Sequence, residues 1–281
     1  MIRRLTPLVQ PFLKWAGGKR QLLPDIRNHL PDPKKYAGYY EPFIGGGAVL
    51  FDVQPKKAVI NDVNGEIINA YKVIRDHTDE LISALRKHKN EAEYFYQLRE
   101  FDRQPAYAKS SPVDRAARIL FLNKTCYNGL FRVNSRGQFN VPFGKYKNPN
   151  IVNEAGLKGV GEYLRDADIT FRNGDFGAAL AGIKKNAFVY FDPPYHPLSD
   201  TSSFTGYTLQ GFGEEEQIRL KKLCDRLDRL GCKFLLSNSY CDFVRELYKG
   251  YKQIKLQASR NINSVGASRG KISEILVKNY E

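Results

Sequence analysis

Short apolar runs alternate with longer amphipathic stretches along this chain, the order expected when strands and helices take turns. Leu22, Leu23, Ile26 and Leu30 recur at helical spacing, and Pro31 and Pro33 close that helix. Residues 39–44 read as a strand that runs into Gly45-Gly46-Gly47 and a helical opening at 48–51, and residues 58–62 form a further strand ending on an acid. Strand, glycine turn, helix and strand in that order make a nucleotide-binding βαβ unit. From residue 64 to about 151 the texture becomes helical, charged and aromatic-rich, with helices predicted over 66–86 and 116–122. Within it, Asn134-Ser135-Arg136-Gly137 reads as a hairpin tip between 131–133 and 138–143.

The α/β pattern resumes with a strand at 169–171, Gly174-Asp175-Phe176, and a strand at 188–191. A helix over 214–230 follows, with Leu220, Leu223, Leu227 and Leu230 at core spacing, three glutamates at its positive end and Gly231 as its stop. A strand at 233–236 and a final strand pair over 251–258 and 274–279 complete the pattern. The expected fold class is therefore α/β: a Rossmann-like sheet interrupted by a mostly helical module carrying a β-hairpin. The expected division gives residues 1–63 and 156–281 to the α/β part and 64–155 to the inserted module.

The most informative stretch is Phe188-Val189-Tyr190-Phe191-Asp192-Pro193-Pro194-Tyr195. An apolar, β-prone run stops abruptly on an acid, two prolines and an aromatic, at the strand edge where open α/β sheets bind ligands. The prolines fix the backbone, so Asp192 and the Pro193 carbonyl form a rigid acceptor pair beside the Tyr195 ring. Such a set suits a flipped-out nucleobase bearing an exocyclic amine. The alternative is a proline-rich turn with Asp192 as its solvated acid.

Charge favours the first reading. Against 30 acids stand 44 Lys and Arg, a formal +14 that points to polyanionic partners, with nucleic acid the leading candidate. Between Lys109 and Pro149 eight basic residues meet a single acid, and six aromatics lie among them, as on a surface that grips phosphates and touches bases. Cys126, Cys224, Cys232 and Cys241 show neither C-x-x-C pairing nor a histidine at metal-ligand spacing, so no metal and a reduced, cytoplasmic protein are expected. None follows a proline, so the Pro-Cys nucleophile of carbon-methylating cytosine enzymes is missing. No apolar run is long enough for a membrane span, and a monomer is expected.

Two glycine sites differ in meaning. Ala16-Gly17-Gly18-Lys19-Arg20 is a poor phosphate loop, because position 13 is Leu and Arg20 stands where the magnesium-binding hydroxyl belongs. Gly45-Gly46-Gly47 lets a ligand approach the backbone, and Asp62 is placed for ribose hydroxyls; with Leu50 in place of the third dinucleotide glycine, a single nucleoside fits better than NAD.

Five segments in register resemble the Dam family of adenine-N6 DNA methyltransferases: residues 12–19, 41–47, 127–132, 137–146 and 192–199. The resemblance implies S-adenosylmethionine as cofactor, bound around Trp15, Ala16, Gly17, Lys19, Phe43, Gly45, Asp62 and Asp192, with Asp175 at its adenine. It implies Asp192, Pro193 and Tyr195 as the catalytic set. It also implies DNA contacts at Lys14, Tyr127, Asn128, Leu130, Arg132, Arg136, Pro142 and Tyr146, with GATC as the site. An arginine reaching guanine O6 and N7 is a common major-groove contact, which suits Arg132. Rival readings are a cytosine-N4 methyltransferase, disfavoured by Asp192 in place of Ser and by motif order, and a DNA-binding protein of the same fold that has lost catalysis.

Overall fold

Seven strands assemble into one sheet in the computed structural model, which describes residues 8–15, 19–197, 212–259 and 271–281. They are β1 (Tyr39–Glu41), β2 (Lys57–Asp62), β3 (Asp168–Asn173), β4 (Phe188–Phe191), β5 (Lys233–Ser239), β6 (Lys252–Ser259) and β7 (Lys271–Lys278), in the order β3-β2-β1-β4-β5-β7-β6. All pairings are parallel except those of β7, which runs antiparallel between β5 and β6. The chain starts at β1 and builds outward to β3, then returns to the other side of β1 as β4. That reversal opens a crevice between the C-terminal ends of β1 and β4, where sheets of this kind bind ligands.

Both faces of the sheet are covered, as the unbroken apolar run of β4 requires. Side-chain alternation splits that run: Phe188 and Tyr190 enter one core, Val189 and Phe191 the other. The helices are α1 (Leu23–His29), α2 (Ala48–Val53), α3 (Gly65–Asp76), α4 (Thr78–Leu85), α5 (Ala92–Glu100), α6 (Pro112–Thr125), α7 (Glu154–Asp166), α8 (Glu214–Arg229) and α9 (Asp242–Leu247). α8 covers the second face through Leu220, Cys224 and Leu227. The first face continues without a break into the inserted residues, so Tyr71, Phe121 and Phe139 share one core with Ile60 and Phe188.

The helix expected over 66–86 is two helices. It breaks at His77 (φ −137°, ψ 41°), and the Thr78 hydroxyl donates to the Ile74 carbonyl at 2.5 Å across the break. The apolar spacing runs through in phase, with Ile67, Ile74, Leu81 and Leu85 all buried, so periodicity carries no sign of the interruption. Leu230, expected in the core, is 38% exposed, because α8 ends at Arg229 and the chain turns at Gly231 with φ +76°. The hairpin tip lies where expected: Asn134 and Gln138 pair, and Val133 bridges Phe139.

Candidate functional site

The crevice is built first from glycine. Gly45 and Gly47 adopt φ +44° and +70°, which side-chain-bearing residues disfavour. A Cβ on Gly47 would lie 2.3 Å from the Tyr71 hydroxyl, and that hydroxyl donates to the Gly45 carbonyl at 3.1 Å. A Cβ on Gly45 would meet the Trp15 indole at 2.8 Å. Trp15 thus lies against the loop, and it also stacks on Phe131 of the inserted segment (5.1 Å, 24°).

Asp62, at the end of β2, accepts the amides of Gly45 (3.0 Å) and Asn64 (2.9 Å). Burial pushes its carboxyl up to about 6, against the pull of those two amides. Beyond β3, Asp175 accepts the Gly177 and Ala178 amides and pairs with Arg219. Burial opposes ionisation of Asp175, but Arg219 and the amides prevail and hold its carboxyl below the usual range. Arg219 lies 4.1 Å over the Phe176 ring, which stacks on Phe43 (5.2 Å). Trp15, Phe43, Gly45, Asp62 and Asp175 therefore border the same end of the sheet.

Across the crevice, Asp192 leaves β4 and receives two contacts on Oδ1: Lys19 Nζ at 2.9 Å and the Ser237 hydroxyl at 3.1 Å. Lys19 is 3% exposed, and so buried a cation requires such pairing. The same ammonium lies 4.6 Å over the Tyr195 ring, whose hydroxyl donates to Glu274 at 2.6 Å. Burial, aided by the charges of Asp192 and Glu274, drives the Tyr195 phenol well above its ordinary range. Beneath them Glu41 is 2% exposed and accepts from Tyr39 at 2.7 Å. Burial pushes its carboxyl up to about 8.

A second cluster forms where the N-terminal segment crosses the inserted module. Asn123 of α6 accepts the Lys14 amide (2.7 Å) and donates to the carbonyls of Lys14 (2.8 Å) and Gly129 (3.2 Å). Lys14 Nζ lies 4.5 Å over the Tyr146 ring, and its aliphatic stem fills the space a Cβ on Gly129 would need. The Pro142 carbonyl accepts the Tyr127 amide, and exposed Asn128 sits at φ +54°. The Leu130 carbonyl accepts from the Cys126 thiol. Exposed Arg132 is braced by Asn140, to its side-chain oxygen at 2.8 Å and its carbonyl at 3.2 Å. Arg136 is exposed at the hairpin tip, its amide donating to Asn134 Oδ1. Ala16 and Gly17, together with Leu198 and Ser199, lie outside the described residues.

Three of the eight cations between Lys109 and Pro149 do not form the expected open basic surface. Arg118 is 2% exposed, bonded to the Leu98 and Arg99 carbonyls and paired with Asp102. Arg115 is paired with Glu66. Lys124 is half-buried, and burial, with help from Lys14 and Arg20, lowers its ammonium to about 8. Lys109, Arg132, Arg136, Lys145 and Lys147 remain exposed.

Sequence reasoning missed Asn123, Gln217, Ser237, Asn238 and Glu274. Four carry a weak signal in hindsight: polar side chains at positions whose helix or strand neighbours are core, namely Asn123 between Leu122 and Thr125, Gln217 on the face of Leu220, and Ser237-Asn238 after Phe234-Leu235-Leu236. Nothing local marks Glu274.

Among known proteins, the family described as D12 class N6 adenine-specific DNA methyltransferase matches residues 15–262. The type II methyltransferase M1.LlaDCHI of Lactococcus lactis subsp. cremoris is 48% identical over 274 residues, covering 97% of this chain and 96% of that protein. The type II methyltransferase M.MjaIII of Methanocaldococcus jannaschii is 44% identical over 290 residues, with 97% and 99% covered. The DNA adenine methylase of Escherichia coli K12 is 38% identical over 270 residues, with 94% and 93% covered.

Proposed function

This chain belongs to the D12 class family of N6 adenine-specific DNA methyltransferases, and from that premise we propose that it moves the methyl group of S-adenosylmethionine to N6 of adenine within GATC of double-stranded DNA, acting as a monomer. The observation that carries the reading is that the Gly45–Gly47 turn and the Asp192–Tyr195 segment follow the C-terminal ends of the paired parallel strands β1 and β4. Residues 1–63 and 156–281 would form the catalytic part and 64–155 the target-recognition part.

The residues at the crevice suit the cofactor. Gly45 and Gly47 hold the turn in positive-φ conformations that other residues disfavour, and Asp62 offers a desolvated carboxylate to ribose hydroxyls. Trp15, Phe43 and Lys19 would bound its remaining contacts, with Asp175 at the adenine. When bound, S-adenosylmethionine supplies an electrophilic methyl group on a sulfonium.

The protein's own task is to make a poor nucleophile adequate. The N6 lone pair of adenine is delocalised into the ring, so acceptors must favour a tetrahedral nitrogen. Both contacts to Asp192 among the described residues fall on Oδ1, which leaves Oδ2 to accept from one N6 hydrogen while the Pro193 carbonyl accepts from the other. Tyr195 would stack on the extruded base and fix its plane. Direct transfer would form a nitrogen–carbon bond as the sulfur–carbon bond breaks, with S-adenosylhomocysteine leaving and the proton shed by the amine passing to solvent water. Lys14, Leu130, Arg132, Pro142 and Tyr146 would read base edges. Tyr127 and Asn128 would manage the gap in the duplex, and Arg136 would contact a phosphate.

Incubation with labelled S-adenosylmethionine and duplexes with or without GATC tests the reading. Label is expected as N6-methyladenine in GATC duplexes only, and Asp192→Ala is expected to lower it by about 100-fold or more. Label in N4-methylcytosine, or wild-type turnover by a folded Asp192→Ala protein, would refute it.

A further inference from the structure

Residues 192–197 leave β4 without regular secondary structure, yet the backbone on both sides of Tyr195 is held by buried amides. Gln217 of α8 donates Nε2 to the Pro194 carbonyl at 3.0 Å. Asn238 of β5 accepts the His196 amide at 3.1 Å and donates Nδ2 to Gln217 Oε1 at 2.9 Å. Neither side chain has exposed surface, and the adjacent Ser239 hydroxyl donates to the His196 carbonyl at 2.7 Å. The third hold is on the ring itself, where the Tyr195 hydroxyl meets Glu274 at 2.6 Å from β7.

Buried amides are costly unless fully paired, and apolar side chains would fill the same volume without that demand. What the amides add is direction. Two fixed backbone atoms and one fixed hydroxyl define the long axis of an aromatic ring, and Lys19, over one of its faces at 4.6 Å, limits its rotation about that axis. An incoming base would use the other face.

We propose that Gln217, Asn238 and Glu274 are positioning residues that set the place and long axis of the Tyr195 ring before DNA arrives, so that the extruded adenine stacks with N6 presented to Asp192 and Pro193. This rests on the reading of Tyr195 as the stacking residue. None of the three touches the reacting atoms; each acts through Tyr195 or its neighbouring peptides.

A double-mutant cycle tests it, with single-turnover methyl transfer measured at saturating S-adenosylmethionine and GATC duplex. Glu274→Ala is expected to slow the wild-type background about 10-fold, the scale of one hydrogen bond to a charged group. Glu274→Gln, which keeps an acceptor oxygen, should recover part of that loss. In a Tyr195→Phe background, which lacks the hydroxyl that Glu274 holds, Glu274→Ala should cost nothing further. Cofactor affinity should be unchanged throughout. The same 10-fold loss in both backgrounds would show that Glu274 acts elsewhere and would overturn the proposal. Gln217→Met gives a second arm: a fall in kcat without a change in KM for S-adenosylmethionine is expected, and wild-type kcat from the folded variant would also overturn it. A wild-type protein that fails to methylate adenine in GATC duplexes would refute the functional reading, and this proposal with it. An active wild type without coupling would refute the positioning role alone.

Discussion

Replacing Glu41 with glutamine should stabilise the protein in a manner that grows with pH. The side chain is 2% exposed beneath the crevice, and burial is the main cause that lifts its carboxyl from 4.5 to about 8, while the hydrogen bond from Tyr39 pulls the other way. A carboxyl whose folded value lies above its unfolded one binds its proton more tightly in the native state, so its contribution to stability is fully present below pH 4.5 and is lost as pH rises toward 8. Near pH 7 the native protein still holds this proton while the unfolded chain has released it. At about 1.4 kcal/mol per pH unit, the gap accumulated by then is about 3 kcal/mol. Glutamine keeps the shape and an oxygen for the Tyr39 hydroxyl but has no proton to lose. Glu41→Gln should therefore gain about 3 kcal/mol on the wild type between pH 4.5 and about pH 7, read from urea unfolding of both proteins without ligand at a series of pH values. Any constant offset from the amide drops out of that comparison. A stability difference that does not change with pH would mean that Glu41 is ionised in the native state, and would refute the reasoning.

Three further outcomes follow from named contacts. Gly47→Ala combines φ +70° with a Cβ 2.3 Å from the Tyr71 hydroxyl and should cost about 2 kcal/mol or more in thermal unfolding, together with weaker S-adenosylmethionine binding; an unchanged Tm would contradict it. Arg132→Ala should cost roughly 1–3 kcal/mol against cognate DNA and relax discrimination at one base pair, whereas equal weakening on all duplexes would mark a phosphate contact instead. Neutralising exposed Lys109, Lys145 and Lys147 together should flatten the plot of log affinity against log salt by up to about two to three units, and an unaltered slope would show that these lysines face only solvent.

The sequence by itself determined what depends on local chemistry. Glycine at 45 and 47 is demanded by backbone conformation, the stop after Phe191 by two prolines, and the two-faced burial of β4 by its unbroken apolar run. Each signal is complete within a few residues, so the glycine turn, the end of the strand and the acid at its edge were legible in the sequence alone. Only the tertiary structure decided which polar groups are partners. Arg118 looks like its neighbours in the basic stretch until Asp102 and two carbonyls enclose it, and the 66–86 pattern hides its break because both helices bury the same stripe. Tyr195 is fixed by Gln217, Asn238 and Glu274, whose positions along the chain reveal nothing of the contact; Glu274 is 79 residues away. Propensity and periodicity act between neighbours in sequence, whereas the pairing of a buried donor with an acceptor is settled by the sheet that brings β4, β5 and β7 together at one edge.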